Sequence, residues 1–211
     1  MYLSGMLRKY QPCVPTRGIK VPAGPDWLHE IKHDGYRLIV QREDKRVRLL
    51  TRNGYDWSGR YPLIVEAALR LRKSSFVIDG EAVVLGSDGI SDFAALYSGK
   101  RNDEVRLYAF DLLADDGVDI RDETLQVRKL WLGKLLKHSS GGILLNDHEA
   151  GEIGPALFRQ ACKMGLEGIV SKRRDRSYKA GPCKDWIKVK NPKSPAMIRA
   201  KEVDWSDPAR N

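Results

Sequence analysis

The sequence has few of the residues that build membrane spans, disulfide frameworks or zinc sites. No apolar run approaches the roughly 20 residues needed to cross a bilayer, and residues 1–11 lack the apolar core of a secretory signal. The 3 cysteines are far apart with no Cys-x-x-Cys pair, and the 4 histidines show no metal-ligand spacing. We therefore expect no membrane association, reduced thiols, no zinc site and a cytoplasmic protein.

Acidic residues are outnumbered by basic ones. The sequence contains 28 Asp and Glu and 37 Lys and Arg, which gives a formal net charge of +9. Basic residues cluster over 172–176 and over 179–193, with Tyr178 and Trp186 among them. This pattern favours a polyanionic partner, either nucleic acid or a nucleotide. A surface that is basic only for solubility would have the same composition.

The order of strand and helix patterns predicts a mixed domain. At 211 residues the chain has room for one large domain or two small ones. Pro12, Pro15, Pro22 and Pro25 predict an extended lead-in with little regular structure over residues 1–25. The absence of regular βαβ alternation is typical of an α+β fold with largely antiparallel sheets flanked by helices. We predict a hairpin over 27–42, strands at 47–51, 76–78, 82–85, 105–113, 143–145, 168–171 and 186–189, and helices at 63–71, 92–97, 123–137 and 153–164.

One short segment places a lysine at a tight turn between apolar stretches: Lys32-His33-Asp34-Gly35-Tyr36-Arg37. The Asp34-Gly35 pair predicts a turn in which the glycine takes a positive φ. A lysine at the apex of such a strand-turn-strand unit is held on a fixed backbone, where it can meet a ligand. Taken alone, the segment also fits a surface hairpin with a solvated lysine.

Further charged residues lie beside predicted strands later in the chain. Alternation places Trp186, Lys188 and Lys190 on one face of a strand. Two lysines on one face repel each other unless an anion lies between them, which indicates a phosphate site. A solvated edge strand is the alternative. A regular strand would place Glu167 and Lys172 on opposite faces, so either a bulge intervenes or the two do not share a site.

Together these segments resemble, in order, the motifs of the nucleotidyltransferase superfamily of ATP-dependent DNA ligases, RNA ligases and mRNA capping enzymes. The first is the lysine hexapeptide, and the others are Arg52-Asn53-Gly54, Asp79-Gly80-Glu81, Tyr108-Ala109-Phe110-Asp111, Glu167-Gly168-Ile169-Val170-Ser171-Lys172 and Trp186-Ile187-Lys188-Val189-Lys190. The sequence is most similar to the ligase module of bacterial end-joining DNA ligases. The resemblance implies a nucleotidyltransferase fold, that of the ATP-grasp-like DNA ligase adenylation domain, over residues 26–192.

The resemblance implies a covalent reaction at Lys32. This lysine would attack the α-phosphate of ATP and form lysyl-AMP, with Lys188 and Lys190 as catalytic cations. A free lysine has a pKa of about 10.4, so a neutral amine at neutral pH requires a shift of roughly 3 units. We expect neighbouring cations and a bound metal to lower the pKa of Lys32. Glu167 would bind Mg²⁺ or Mn²⁺, and Glu81 would hold the ribose and lie near the metal.

The same resemblance assigns the other contacts to the nucleotide. Glu30 would read the amino group of adenine, and Ile31 would also contact the nucleotide. Phe110 would stack on adenine, and Arg37 would hold the ribose. Arg52 would touch AMP or the 5′-phosphate of a nick, while Lys188 and Lys190 would also bind the nucleotide.

The family also carries an OB-fold domain after the last lysine motif, where this sequence has only a tail over residues 193–211. That tail is too short for a five-stranded barrel. We expect a separate OB-fold chain, slow activity without one, or a degenerate paralogue. The implied partners are nicked DNA and an OB-fold or end-joining protein, in nucleoid-associated DNA repair, recombination or replication. The alternatives are an RNA ligase, a capping-type nucleotidyltransferase and a non-catalytic nucleic-acid-binding paralogue.

Overall fold

A computed structural model describes residues 10–139 and 141–202. The first residues of the predicted lead-in, 1–9, and the end of the predicted tail, 203–211, lie outside these ranges. The strands are β1 (Cys13–Arg17), β2 (Trp27–Ile31), β3 (Tyr36–Glu43), β4 (Arg46–Thr51), β5 (Ser75–Val83), β6 (Arg106–Asp115), β7 (Val118–Asp119), β8 (Ile143–Leu145), β9 (His148–Ala150), β10 (Gly168–Arg173) and β11 (Gly181–Lys190). The helices are α1 (Pro62–Arg70), α2 (Phe93–Ser98), α3 (Leu125–Leu136), α4 (Gly154–Lys163) and α5 (Pro195–Glu202).

The strands form two sheets. One has five strands in the order β1-β11-β10-β2-β9, and the other has the order β4-β3-β5-β6-β7, with β8 added beside β6. Most pairs are antiparallel, and β1 with β11 and β6 with β8 are parallel. The predicted α+β class with largely antiparallel sheets is therefore confirmed. In the described part of the chain, no helix has the length and apolar character to span a membrane.

Residues 27–42 do not form the predicted hairpin. β2 pairs with β10 and β9 in the five-stranded sheet, whereas β3 pairs with β4 and β5 in the other sheet. The turn between them carries the chain from one sheet to the other. Gly35 does not adopt a positive φ. A glycine is required at this position because the backbone of β5 lies too close for a side chain: a Cβ there would lie 2.2 Å from the carbonyl oxygen of Ala82.

The predicted helices are all present, with ends shifted by one or two residues. Two strand predictions need correction. The predicted lead-in contains β1, because its backbone pairs in parallel with β11. The two short strands predicted around residues 79–81 are one continuous strand, β5, which accommodates Gly80 and its neighbours by register shifts against β6.

The core has two parts, one on each face of the larger sheet. Leu38 and Val40 point to the side covered by α1 and α3. Ile39, between them on β3, points the other way and packs in a cluster with Phe110 and Trp186. The two sheets therefore pack face to face, and side chains from both of them meet where β2 ends and β3 begins.

Candidate active site

A cleft opens between the two sheets at the turn that joins β2 and β3. Its cavity has a volume of about 180 Å³. Most of the predicted site residues line it: Glu30, Ile31, Lys32, Arg37, Arg52, Glu81, Phe110 and Lys188. The predicted residues Glu167 and Lys190 do not line the cavity, but Glu167 contacts Lys32 directly beside it.

Lys32 follows directly after β2 and is held through both its backbone and its side chain. Its backbone N–H donates a 2.9 Å hydrogen bond to the carbonyl of Gly168 at the start of β10. Its Nζ donates a 2.6 Å hydrogen bond to Glu167 Oε2, and the side chain is 22% exposed. The alternative of a solvated lysine on a surface hairpin is therefore wrong.

The charge of Lys32 also differs from the expectation drawn from the sequence. Cations were expected to lower its pKa, but the pKa is raised above its ordinary value. Burial lowers the pKa of Lys32, and the carboxylates of Glu167, Glu81 and Asp34 outweigh burial. The protein cations alone do not lower this pKa, because the closest charged partner is an acid; the effect of a bound metal stays a prediction. An ammonium nitrogen has no lone pair, so Lys32 must lose a proton before it can act as a nucleophile.

Glu167 binds an ammonium group on each of its oxygens. Oε2 pairs with Lys32, and Oε1 lies 2.9 Å from Lys190 Nζ. β11 carries Lys188 and Lys190 and lies between β1 and β10, so it is not the solvated edge strand of the alternative interpretation. The pKa of Lys188 is lowered by burial and by the charges of Lys32, Lys190 and Arg52. This part of the cleft concentrates positive charge, as an anion site requires.

Glu81 and Glu167 are the predicted metal ligands, and their chemistry fits Mg²⁺. Burial raises the pKa of Glu81 to about 7, helped by the charges of Glu167 and Asp79 and opposed by Lys32 and Arg37. A divalent cation would stabilise the ionised form of such a carboxyl group. Within the described ranges no three His, Cys, Asp or Glu side chains form a metal cluster. The remaining ligands would be phosphate oxygens and water, which is usual for Mg²⁺.

Arg37 is anchored by a buried carboxylate. Its Nε and Nη2 donate hydrogen bonds of 2.8 and 2.5 Å to the two oxygens of Asp79, and its Nη1 donates one of 2.6 Å to the carbonyl of Cys13. Tyr178 donates a further 2.7 Å hydrogen bond to Asp79. The guanidinium carbon lies 5.0 Å from the centroid of the Phe110 ring. Arg37 therefore supplies a fixed positive charge against the aromatic wall of the cleft.

Another part of the cleft combines aromatic rings with one carboxylate. Phe110 and Trp186 meet edge to face, with ring centroids 6.1 Å apart. Glu30 also lines this cavity and is 2% exposed. Aromatic faces and a hydrogen-bond acceptor suit a planar heterocyclic base that carries an amino group.

The position of Lys172 answers the question raised by its spacing from Glu167. β10 pairs in regular register with both of its neighbours, without a bulge. Glu167 precedes the strand and contacts Lys32. Lys172 lies within the strand and donates a 2.8 Å hydrogen bond to Glu30 Oε2. The two side chains therefore serve different parts of the cleft.

Residues outside the motifs, which the sequence did not predict for the site, surround Glu30. Lys129 on α3 places its Nζ 2.7 Å from Glu30 Oε1, and Asn146 donates a 3.3 Å hydrogen bond to Oε2. Lys129 did give one signal, because it falls with Leu125 and Leu132 on the buried face of α3. A buried cation requires a charged partner. No pattern in the sequence distinguishes Asn146.

The sequence matches a family model and several relatives. Residues 11–190 match the model of the ATP dependent DNA ligase domain. The chain is 38% identical over 175 residues to the multifunctional non-homologous end joining protein LigD of Pseudomonas aeruginosa, a match that covers 82% of this chain and 21% of that protein. It is 31% identical over 198 residues to the SPbeta prophage-derived DNA ligase-like protein LigB of Bacillus subtilis, covering 90% of this chain and 68% of that protein.

Solved structures agree with this assignment. A mycobacterial DNA ligase D complexed with ATP and MES matches with a TM-score of 0.75 and 33% identity, over 85% of this chain and 60% of that one. A Chlorella virus DNA ligase-adenylate, at 18% identity and a TM-score of 0.63, covers 86% of this chain and 68% of that one, and supports the fold alone. The predicted nucleotidyltransferase fold is confirmed. The chain belongs to the ATP-dependent DNA ligase family, in which it corresponds to the adenylation domain.

Proposed function

We propose that this domain transfers AMP from ATP to Lys32 and then to a 5′-phosphate in nicked DNA. The observation that carries the proposal is the position of Lys32 Nζ in a cleft with two chemically different parts. One part has the aromatic rings and a carboxylate that suit a base. The other has the cations Lys188 and Lys190 around Glu167, which suit phosphates.

Different residues of the cleft bind different parts of ATP. Phe110 supplies a face on which adenine stacks, and Glu30 accepts a hydrogen bond from the adenine amino group. Ile31 lies between Glu30 and the nucleophile and lines the same cavity. Arg37 faces the ribose, and Arg52 contacts AMP or the 5′-phosphate of the nick. These contacts hold the α-phosphate against Lys32, which replaces an encounter in solution by a reaction within one complex.

The covalent step uses the lone pair of Lys32 Nζ. A nitrogen–phosphorus bond forms at the α-phosphate, and the bond from that phosphorus to the oxygen that bridges to the β-phosphate breaks. Pyrophosphate leaves with the electron pair of that bond, and two protons leave the former ammonium group. Lys188 and Lys190 stabilise the charge that develops on the phosphate oxygens. Mg²⁺ bound to Glu167 and Glu81 would supply further charge neutralisation on the phosphates.

Intact-mass measurement after incubation with ATP and Mg²⁺ tests the first step. We expect an increment of one AMP, which peptide mapping places on Lys32. Lys32→Ala should acquire none, while Lys45→Ala, an exposed lysine in the turn after β3, should acquire as much as the wild type. An unmodified wild type, or equal modification of Lys32→Ala, would contradict the proposal. A GMP adduct in place of AMP would identify the capping alternative.

We propose nicked duplex DNA as the acceptor of AMP, in a repair process within the cytoplasm and nucleoid. The net charge of +9 supports a nucleic-acid substrate. The chain spans 21% of the length of the Pseudomonas LigD. We propose a separate OB-fold or end-joining protein as a partner in ligation. Adenylated protein should transfer AMP to a nick with a 5′-phosphate and not to one with a 5′-hydroxyl.

The identity of the acceptor strand separates the alternatives. The experiment offers DNA and RNA nicks of the same sequence to the adenylated protein. Transfer to RNA alone would identify an RNA ligase. Binding to the nick that Lys32→Ala leaves unchanged, with no AMP transfer to either strand, would identify a non-catalytic paralogue.

A further inference from the structure

The carboxylate of Glu30 lies between two lysines that approach from opposite elements. Lys129 reaches it from α3, with Nζ 2.7 Å from Oε1, and Lys172 reaches it from β10, with Nζ 2.8 Å from Oε2. All three side chains are 2% exposed. Lys172 lines the cleft, whereas Lys129 lines a groove on the other side of α3 and is absent from the lining of the cleft. Lys129 therefore contacts Glu30 from the side that faces away from the cleft.

Both oxygens of Glu30 already have partners, and the carboxylate can still accept a further hydrogen bond. Oε2 accepts hydrogen bonds from Lys172 and Asn146. Oε1 is buried and lies 2.7 Å from Lys129 Nζ. A carboxylate offers about four lone-pair sites, which is one more than these three contacts use. A ligand in the cleft can therefore donate a hydrogen bond to Glu30, which lines it.

The charge of Glu30 depends on these two lysines. Burial raises the pKa of Glu30, but Lys129 and Lys172 outweigh burial and hold it below its ordinary value. The other titratable groups nearby contribute little positive charge at neutral pH. Burial lowers the pKa of His33 to about 4 and also lowers that of His148, which pairs with Glu30 across β9. Removal of one lysine would leave a buried acid with a single cation.

We propose that Lys129 is a positioning residue that keeps Glu30 ionised and thereby makes the cleft select a 6-aminopurine nucleotide over a 6-oxopurine nucleotide. An ionised carboxylate only accepts hydrogen bonds. It can accept one from the amino group of adenine, but it faces an acceptor when the purine carries a 6-oxo group. A protonated Glu30 has an O–H donor and can serve that oxo group. The inference rests on the proposed function, because it assumes that the base of ATP lies against Glu30.

The test compares ATP with inosine triphosphate, which replaces the 6-amino group by an oxo group and adds no 2-amino group. The rate of covalent nucleotide transfer to Lys32 is measured for each nucleotide at pH 6 and pH 8.5. We expect the wild type to prefer ATP to the same extent at both pH values. Burial lowers the pKa of Lys172 to about 8, so Lys172 loses part of its charge at pH 8.5, but Lys129 remains beside Glu30 there and the higher pH itself favours the carboxylate. In Lys129→Met we expect the preference to fall by about 10-fold or more at pH 6, since a misplaced buried polar contact costs this much, and to recover at pH 8.5. Lys134→Met, an exposed position on the same helix, should behave as the wild type.

Two further measurements keep the outcome decisive. Glu30→Gln carries a neutral amide that can donate to an oxo group, so it should lose the ATP preference equally at both pH values. If Lys129→Met does not fold, this variant tests the role of the charge on Glu30. A folded Lys129→Met with the wild-type preference at both pH values would overturn the inference, as would an unaltered preference in Glu30→Gln.

The outcome can be separated from that of the proposed function. A wild type that never forms an adduct with ATP would refute the proposed function. Equilibrium binding of AMP and IMP, followed by tryptophan fluorescence, would still test Lys129. The same loss of preference between the two monophosphates is then expected in Lys129→Met, and an unchanged preference would overturn the inference.

Discussion

The ion pair between Arg128 and Asp111 offers a sharp test of what holds α3 against the larger sheet. Both side chains are 0% exposed. Arg128 Nε and Nη2 donate hydrogen bonds of 2.8 and 2.9 Å to the two oxygens of Asp111. Its Nη1 also donates to the carbonyls of Glu123 and Arg176, at 2.6 and 3.2 Å. Arg128→Met removes all of these donors and keeps most of the side-chain volume.

The expected loss follows from what the substitution leaves behind. Asp111 would keep one hydrogen bond, from the backbone N–H of Leu112 at 2.9 Å, but would lose its counter-charge in a dry environment. Breaking a buried pair in this way costs about 3–5 kcal/mol. Because a domain of this kind is stabilised by about 5–15 kcal/mol in total, Arg128→Met should unfold at a much lower urea concentration.

Urea unfolding followed by circular dichroism measures this loss. Arg128→Met combined with Asp111→Leu should recover most of it, since replacement of a whole buried pair by apolar residues is often neutral. The matched control is Arg70→Met, whose pair with Glu66 is 64% and 56% exposed and is worth less than about 1 kcal/mol. A loss below about 1 kcal/mol in Arg128→Met, or a double variant less stable than the single one, would refute the reasoning.

Two further predictions concern the cleft. Gly35→Ala would place a Cβ 2.2 Å from the carbonyl oxygen of Ala82, so we expect a loss of about 1–3 kcal/mol in unfolding free energy and slower AMP transfer. The control Gly59→Ala, with open space around its Cβ, should change neither quantity. A Gly35→Ala variant with unchanged unfolding free energy would contradict the close contact. Burial, with a smaller effect of Lys129, lowers the pKa of Lys172 to about 8 against the attraction of Glu30. Above pH 8 the folded protein therefore binds fewer protons than the unfolded chain. As a result, the unfolding free energy of the wild type relative to Lys172→Met should rise between about pH 8 and 10. A difference between the two proteins that stays constant over this range would refute the lowered pKa of Lys172.

Local patterns were sufficient to predict most of the secondary structure. The helix at α3 and the strand at β8 follow from apolar spacing that the neighbouring residues alone determine. The hairpin over 27–42 was wrong because a turn signature reports the path of the backbone and not the partners of the two strands. Those partners are β10 for one strand and β5 for the other, and both lie far away in the sequence.

The motifs in the sequence identified the residues of the cleft, but they did not predict the charge states of those residues. Lys188 and Lys190 suggested that Lys32 would have a lowered pKa. Glu167, which is 135 positions away from Lys32 in the chain, reverses that effect because it lies closest to Nζ. Lys129 was missed because a lysine on a helix is usually solvated, and its spacing from Leu125 and Leu132 was the one sign that the packing of α3 against β6 buries it.

The passage of the chain between the sheets at residues 32–35 has a mechanical consequence. Lys32 is covalently tied to both sheets. Its partner Glu167 directly precedes β10 of the five-stranded sheet, and Glu81 lies on β5 of the other. A small change in the gap between the sheets would alter the distance from Lys32 to Glu81 and leave that to Glu167 nearly constant. Apolar residues packed between the sheets, such as Ile39, therefore set the alignment of the nucleophile although Ile39 itself does not line the cavity.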